Sequence, residues 1–216
     1  MDTPVTNGFD FSVPAAATIA APIDALFYSL LAASTLVCIA VSASIVYFCI
    51  KYRRTASADR SGAPSENRRL ETVWITVPLL AFFGIFCWAG ALYSRIFTPP
   101  SDAIDIFIVG KQWMWKVQHT SGRQEIDEVH VPLGVPVRLV MTSQDVIHSF
   151  SVPAFRLKQD VLPGRYTALW FQATKIGVYP LYCSEYCGTD HSRMHGTVVV
   201  VPSEQYQQWL AGANLP

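Results

Sequence analysis

The sequence predicts a membrane protein in which a two-helix transmembrane hairpin is followed by an all-β sandwich. Three observations support this prediction: two long uncharged apolar runs in the first half, short β-rich runs in the second half, and the stretch CSEYCGTDHSRM at 183–194, which is dense in metal-binding residue types. The expected organisation is an N-terminal extracytoplasmic segment over 1–24, the hairpin over 25–98 with a cytoplasmic loop at 51–71, the sandwich over 99–202 and a C-terminal helix over 203–216.

Each apolar run is long enough to cross a bilayer. No residue from Ala25 to Ile50 is charged, and none from Thr72 to Ser94 is charged. A transmembrane helix needs about 20 mainly apolar residues, whereas soluble helices average about a dozen residues. Pro78 in the second run is tolerated in packed membrane helices. Both runs are therefore predicted to span the membrane rather than to form buried helices of a soluble protein.

Charged residues beside the two runs predict the orientation. Lys and Arg are frequent in segment 51–71 and absent from residues 1–24. Because cytoplasmic loops are enriched in basic residues, the loop at 51–71 is expected in the cytoplasm and both termini on the opposite side of a bacterial inner membrane. The β-rich half would then lie in the periplasm. The start MDTPVTNGFD lacks the basic region of a signal peptide, so either the first span directs insertion or a precursor segment is missing from this numbering.

The second half of the chain has the pattern of an all-β domain. In AIDIFIVGKQWMWKVQH, Ile104, Ile106 and Ile108 alternate with other residues, which predicts a half-buried strand. Further β-rich runs follow between turn signals: EIDEVHVPL, PVRLVMTSQ, IHSFSVPAF, RYTALWFQAT, GVYPLYC and GTVVVVP. Short strands at this spacing are typical of a sandwich or barrel.

The balance of charge gives no indication of nucleic-acid binding, because the 16 basic and 16 acidic residues cancel. The stretch EIDE at 125–128 is the best candidate for an acidic patch that steers a basic partner, and a solvated strand edge or turn is the alternative. His119 and His130 are expected in or near turns and edges. Neither of them, nor His195, is expected to bind a metal.

Two of the cysteines lie among other metal-binding residues. Cys183 and Cys187 would form a disulfide in the simplest alternative for an oxidising compartment. His191 and Met194 follow closely, however, and a sandwich can bring His148 from DVIHSF beside the same loop. The other cysteines, which lie in the apolar runs and are interpreted as packing residues, are Cys38, Cys49 and Cys87.

The types of ligand discriminate among metals. A structural zinc site would use two Cys and two His and leave Met194 without a role, since a thioether is a poor zinc ligand and a good copper ligand. A mononuclear blue-copper site needs only one Cys. Two bridging thiolates could instead hold two copper ions, each with one imidazole and one weak ligand. Met194 would be one weak ligand, and the backbone carbonyl of Glu185 is the best candidate for the other.

Several motifs resemble subunit II of the haem-copper cytochrome c oxidases. They are C-S-E-Y-C-G-T-D-H-S-R-M, D-V-I-H-S-F-S-V-P, L-K-Q-D-V-L-P-G-R, L-E-T-V-W-I-T-V-P and G-K-Q-W-M-W, and they span almost the whole chain. The resemblance implies a cupredoxin domain with a dinuclear copper centre, CuA. By position, the family's copper ligands are His148, Cys183, Cys187, His191 and Met194, with the carbonyl of Glu185.

The same resemblance implies further roles. The side chain of Glu185 would reach a magnesium or manganese ion shared with subunit I, and Trp113 would receive electrons from cytochrome c. Glu71 would lie at the mouth of a proton pathway. The implied partners are subunit I with its haem and CuB, further oxidase subunits, and a separate cytochrome c, because no C-x-x-C-H haem motif occurs in the chain.

These features predict the subunit through which electrons reach an aerobic terminal oxidase, with oxygen reduced to water in subunit I. A quinol oxidase subunit would lack copper ligands that are present here. From a different functional class, a membrane-tethered copper chaperone would also offer Cys, His and Met, but it would bind a single exchangeable copper ion. A structural zinc module is the remaining alternative.

Overall fold

The computed structural model describes residues 13–59, 62 and 66–212. The chain divides into two compact units: residues 24–92 form one, and the residues up to 23 together with those from 93 onward form the other. The first half of the predicted N-terminal segment, residues 1–12, and the end of the predicted C-terminal helix, residues 213–216, lie outside the described residues.

The first unit consists of the two predicted spans. Helix α1 is Ala20–Lys51 and helix α2 is Arg68–Phe97, with mean hydropathies of 2.2 and 2.0 over their most apolar windows. The side chain of Asn67 accepts a hydrogen bond from the Leu70 amide at 3.1 Å and caps the start of α2. Most side chains of both helices are exposed. Apolar exposure on this scale requires a lipid or protein environment, as expected for membrane spans.

Residues before α1 belong to the β-sandwich. Ala16 and Ala17 are buried in its core. The Ala16 amide donates to the Ala154 carbonyl at 2.9 Å, and the Thr174 amide donates to the Ala16 carbonyl at 2.9 Å. The chain before the first span and the domain after the second therefore lie on the same side of the membrane, as two spans require. The sequence placed residues 1–24 in a segment separate from the sandwich, but Ala16 and Ala17 of that segment belong to the sandwich core.

Within the part of the chain that the structure describes, the sandwich contains ten strands in two five-stranded sheets, followed by a short helix. The first sheet has the order β3-β2-β1-β5-β8 and the second has the order β4-β10-β9-β6-β7. The strands are β1 Ile104–Lys111, β2 Met114–His119, β3 Gln124–Ile126, β4 Glu128–Pro132, β5 Pro136–Ser143, β6 His148–Val152, β7 Leu157–Val161, β8 Thr167–Gln172, β9 Gly177–Cys183 and β10 His195–Val201, and the helix is α3 Ser203–Leu210. Trp115 and Phe150 are fully buried between the sheets.

Two predicted runs are divided in the structure. The run from Ile104 to His119 forms β1 and β2, which pair antiparallel with Lys111 opposite Met114 and leave Gln112 and Trp113 as the turn. The run EIDEVHVPL is interrupted at Asp127, which has a φ of 57°. β3 lies in the first sheet and β4 in the second, so Asp127 marks the place where the chain changes sheets.

His119 ends β2 next to a turn and His130 lies in the edge strand β4, but both are buried. The predicted acidic patch at 125–128 is wrong for Glu125, although Glu128 is exposed. His119 and His130 are buried in strands, and the Glu125 side chain is only 8 % exposed. His119 Nε2 and His130 Nδ1 each contact one oxygen of the Glu125 carboxylate, at 2.6 and 2.5 Å. Burial raises the pKa of Glu125, but the hydrogen bonds from the two histidines outweigh it and bring the pKa below its usual value. Glu125 is therefore a buried carboxylate and cannot form part of an acidic surface.

We expect Gly196→Ala to destabilise the sandwich by about 3 kcal/mol, because the added methyl group would press on backbone atoms that cannot move without shifting the strand. An added Cβ would overlap the Asp127 carbonyl oxygen, which also accepts the Thr197 amide at 2.8 Å. Thermal denaturation of the full chain in detergent, followed by circular dichroism, measures the effect. Gly90→Ala is the control, since its Cβ meets nothing within 4 Å. Equal stability of the two variants would contradict the predicted clash.

Candidate metal centre

Adjacent strands bring the predicted ligands together. His148 begins β6 and Cys183 ends β9, and these strands are neighbours in the second sheet, where Phe150 pairs with Cys183. The Ser184 amide donates to the Ser149 carbonyl at 2.9 Å, which holds the chain leaving β9 beside the start of β6. A short 3₁₀ turn, His191–Arg193, then returns the chain to β10. Residues far apart in sequence therefore meet at one end of the sandwich.

The two cysteines lie at the middle of the ligand group. Their sulfurs are 3.7 Å apart. This distance is far longer than the 2.05 Å of a disulfide, so the pair consists of two separate thiols. His148 Nδ1 lies 3.9 Å from the Cys183 sulfur, and His191 Nδ1 lies 3.4 Å from the Cys187 sulfur. Each sulfur thus has one imidazole nitrogen beside it.

Each sulfur also has one weaker donor nearby. The Glu185 carbonyl oxygen is 3.3 Å from the Cys183 sulfur, and the Met194 thioether is 3.7 Å from the Cys187 sulfur. The set therefore has two matched halves, each with a thiol, an imidazole and a weak donor. Soft sulfur ligands together with imidazole select copper over harder metals. This donor set fits copper and offers enough ligands to hold two copper ions.

The centre is largely removed from water. His148 is fully buried, and the exposed fractions of Cys187 and Met194 are only 2 %. His191 is half-buried, while the Glu185 side chain is exposed and only its carbonyl faces the site. Buried sulfur and nitrogen ligands limit solvent access to a bound metal, which is one of the factors that set its redox potential.

Asp145 fixes the orientation of the His148 ring. His148 Nε2 lies 2.8 Å from the Asp145 carboxylate, so the proton is on Nε2 and Nδ1 is free to bind a metal next to Cys183. Burial raises the pKa of Asp145, but hydrogen bonds from the Gln112 amide and from His148 outweigh it and lower the pKa. Asp145 therefore remains ionised and holds the ring from behind. Asp145 was not recognised from the sequence, although it stands three residues before His148.

The two thiols differ in their acidity before a metal binds. Burial raises both pKa values. Hydrogen bonds from His148 and from the Ser149 backbone more than compensate at Cys183 and lower its pKa. At Cys187 the neighbouring Cys183 sulfur adds to the effect of burial, and the pKa is raised. Metal binding to both thiolates must therefore displace the proton of Cys187.

Trp113 directly contacts the loop that carries Cys187. Its indole N–H donates to the Cys187 carbonyl at 3.3 Å, and the Gln112 side chain donates to the same oxygen at 2.8 Å. The Gln112 amide also donates to Asp145 at 2.7 Å. The β1–β2 turn is thus tied to both cysteine and histidine parts of the site. Gln112 was not recognised from the sequence, because its contacts join residues that are distant along the chain.

Glu71 is exposed in the first turn of α2 and belongs to the other compact unit. His195, which directly follows Met194, is exposed.

Comparisons with known proteins agree with this arrangement. Residues 4–90 match the family model "Cytochrome C oxidase subunit II, transmembrane domain", and residues 120–202 match "Cytochrome C oxidase subunit II, periplasmic domain". The chain is 30% identical to a probable cytochrome c oxidase subunit 2 of Rickettsia bellii, over 86% of this chain and 77% of the relative. It is 29% identical to cytochrome c oxidase subunit 2 of Thermostichus vulcanus, over 87% of this chain and 73% of the relative.

A solved structure has a similar sandwich. It is the crystal structure of the periplasmic domain of subunit II of cytochrome oxidase of Bradyrhizobium japonicum, which covers 54% of this chain and 96% of that one. The identity is 32% and the TM-score is 0.51. The match supports the assignment of the β-domain to the periplasmic side.

Proposed function

Because this chain belongs to the family of cytochrome c oxidase subunit II, we propose that it is the subunit through which electrons enter an aerobic terminal oxidase. It would take electrons from cytochrome c and pass them to haem in subunit I, where oxygen is reduced to water. The observation that carries this proposal is the pair of thiols 3.7 Å apart, each with its own imidazole and weak donor.

The residues proposed to hold the copper pair are His148, Cys183, Cys187, His191 and Met194, with the carbonyl of Glu185. When bound, such a pair supplies a centre that gains and loses one electron at a time. The chain keeps the ligands in place before binding, since Asp145 orients His148 and the β6–β9 pairing positions Cys183. Preorganised ligands that move little suit repeated one-electron transfer.

Trp113 is proposed as the point where electrons arrive from cytochrome c. It is only half-buried, so a partner can reach its ring, and its N–H contacts the carbonyl of Cys187. This hydrogen bond connects the indole to a residue whose sulfur is a proposed copper ligand. No other tryptophan in the described residues donates a hydrogen bond to the ligand loop.

Two further roles follow from family membership. The exposed side chain of Glu185 is proposed to bind a magnesium or manganese ion shared with subunit I, while its carbonyl serves the copper pair. Glu71 is proposed to lie at the mouth of a proton pathway on the cytoplasmic side, and its exposed position at the start of α2 leaves it accessible to subunit I.

A membrane-tethered copper chaperone is the less favoured function. A chaperone must release its metal readily, whereas Cys187, Met194 and His148 are almost completely buried. The buried, matched ligand set favours permanent retention of two ions.

Copper loading of the full chain tests the proposal. Full-length protein is preferable to a truncated domain because Ala16 and Ala17 contribute to the sandwich core. We expect two copper ions per chain and an electron paramagnetic resonance spectrum in which one unpaired electron is shared equally by both nuclei. One exchangeable copper ion with a localised signal would favour the chaperone, and a preference for colourless zinc would favour a structural module.

A further inference from the structure

A second group of metal-binding side chains lies where the chain passes from β3 to β4. One carboxylate oxygen each of Glu125 and Glu128 and one ring nitrogen of His130 lie within 4.8 Å of one another. None of these residues belongs to the proposed copper centre. We propose that this group binds one divalent transition-metal ion, with Zn²⁺ as a suitable probe, and so forms a metal site separate from the copper pair.

The spacing allows an ion after small side-chain movements. A tetrahedral zinc ion with bonds of about 2.0–2.2 Å holds its ligand atoms about 3.3–3.6 Å apart. The three ligand atoms lie within 4.8 Å of one another and His130 Nδ1 is 2.5 Å from Glu125, so an ion would separate His130 from Glu125 by about 1 Å and draw Glu128 closer. One imidazole and two carboxylates with a remaining open position form a donor set suited to zinc and related divalent ions. The ion would replace the proton between His130 Nδ1 and Glu125, which are in hydrogen-bond contact.

A second layer of contacts already holds the Glu125 carboxylate in position. Its other oxygen is 2.6 Å from His119 Nε2, and His119 Nδ1 is 2.9 Å from the Tyr206 hydroxyl. The tyrosine hydroxyl donates to Nδ1, so His119 carries its proton on Nε2 and donates it to Glu125. Hydrogen-bonded partners behind a ligand fix its orientation and strengthen metal binding. Glu125 is thus arranged to present its second oxygen to His130 Nδ1.

The site also has a closed side and an open side. Trp209 of α3 stacks on the His130 ring with centroids 4.6 Å apart and an interplanar angle of 28°. Glu128 is exposed, and among the described residues its side chain has no ion pair or hydrogen bond. An ion can therefore enter from the solvent at Glu128 and reach the buried pair behind it. Once bound, it would join β3 of one sheet to β4 of the other.

Zinc titration of the copper-loaded full chain in detergent, by isothermal calorimetry with metal analysis, tests this site. Prior copper loading occupies the cysteines and prevents them from taking the probe. We expect one Zn²⁺ per chain with copper fully retained. Glu128→Gln should weaken zinc binding at least about 10-fold without affecting folding, because Glu128 is exposed. His130→Asn should weaken it further.

Glu204→Gln is the matched control, because Glu204 is also an exposed glutamate of the same domain and is absent from the ligand group. Its zinc affinity should equal that of the unmodified chain. Co²⁺ provides a spectroscopic check, since a site of nitrogen and oxygen ligands lacks the sulfur-to-metal absorption that cysteine ligands give. Absence of stoichiometric zinc, equal affinity in Glu128→Gln, displacement of copper or a cobalt–sulfur band would each overturn the proposal.

Discussion

Replacement of Cys183 by serine is expected to remove the copper pair and to lower cytochrome c oxidation by the assembled oxidase by more than about 100-fold. Substitution of a residue that only hydrogen-bonds to a metal ligand already lowers metal affinity or activity about 10–100-fold. Cys183 is itself a proposed ligand shared by both ions. Its sulfur lies near His148, the Glu185 carbonyl and the second cysteine. A serine hydroxyl is a hard and weakly acidic replacement that cannot bridge two copper ions. Copper content and turnover of the purified complex measure the loss.

Cys38→Ser is the matched control for this variant. Cys38 lies in α1, outside the ligand group, so the substitution should leave copper content and turnover unchanged. Both variants must first be shown to assemble with subunit I, which separates loss of copper from loss of the subunit. Full copper content and normal turnover in assembled Cys183→Ser would mean that the bridging assignment is wrong.

The membrane spans, and the cysteine stretch that carries most of the proposed ligands, could be recognised from the sequence because both are local features. The run from Ala25 to Ile50 has no charged residue, and its length alone indicates a membrane helix. The cysteine stretch likewise gathers several ligand types within a few positions. His148 required one further step, namely that neighbouring strands of a sandwich can bring together residues far apart in sequence. The structure has that strand pairing, between β6 and β9.

The turn at Gln112 and Trp113 could not be located by the same means. The stretch KQWMWKV from Lys111 to Val117 contains no Gly, Pro, Asn or Asp, so no turn residue marks the end of a strand. The turn is stabilised by distant groups, since Asp145 and the Cys187 carbonyl accept the Gln112 hydrogen bonds. Such long-range contacts are not visible in the local pattern.

The buried histidines were missed for a related reason. His119 stands before the polar stretch TSGRQE, and His130 lies between two valines as a polar residue of an alternating run, so neither pattern indicates a buried histidine. Their burial depends on Glu125 and on the aromatic residues of α3, which cover them from the end of the chain. A charged residue is rarely buried without such partners. The three residues could therefore be interpreted only as a group.

Replacement of Trp113 by phenylalanine is expected to lower kcat/KM for cytochrome c by about 100-fold, since small displacements in a reactive contact can have effects of this size. Phenylalanine keeps an apolar ring in the turn but has no N–H for the Cys187 carbonyl, which the indole reaches at 3.3 Å. The Gln112 side chain still donates to that oxygen at 2.8 Å, so the copper loop should keep its position. Steady-state oxidation of reduced cytochrome c measures the change.

The spectrum of the copper centre distinguishes a role in electron transfer from a structural role. If Trp113 serves as the route for electrons, Trp113→Phe should retain two copper ions and an unchanged paramagnetic signal while cytochrome c oxidation falls. Trp170→Phe is the matched control, because Trp170 loses a similar hydrogen bond, to the Arg95 carbonyl at 2.9 Å, without touching the ligand loop. Equal losses in the two variants, or an altered copper signal in Trp113→Phe, would mean that the indole supports the fold and that electrons reach the copper ligands by another path.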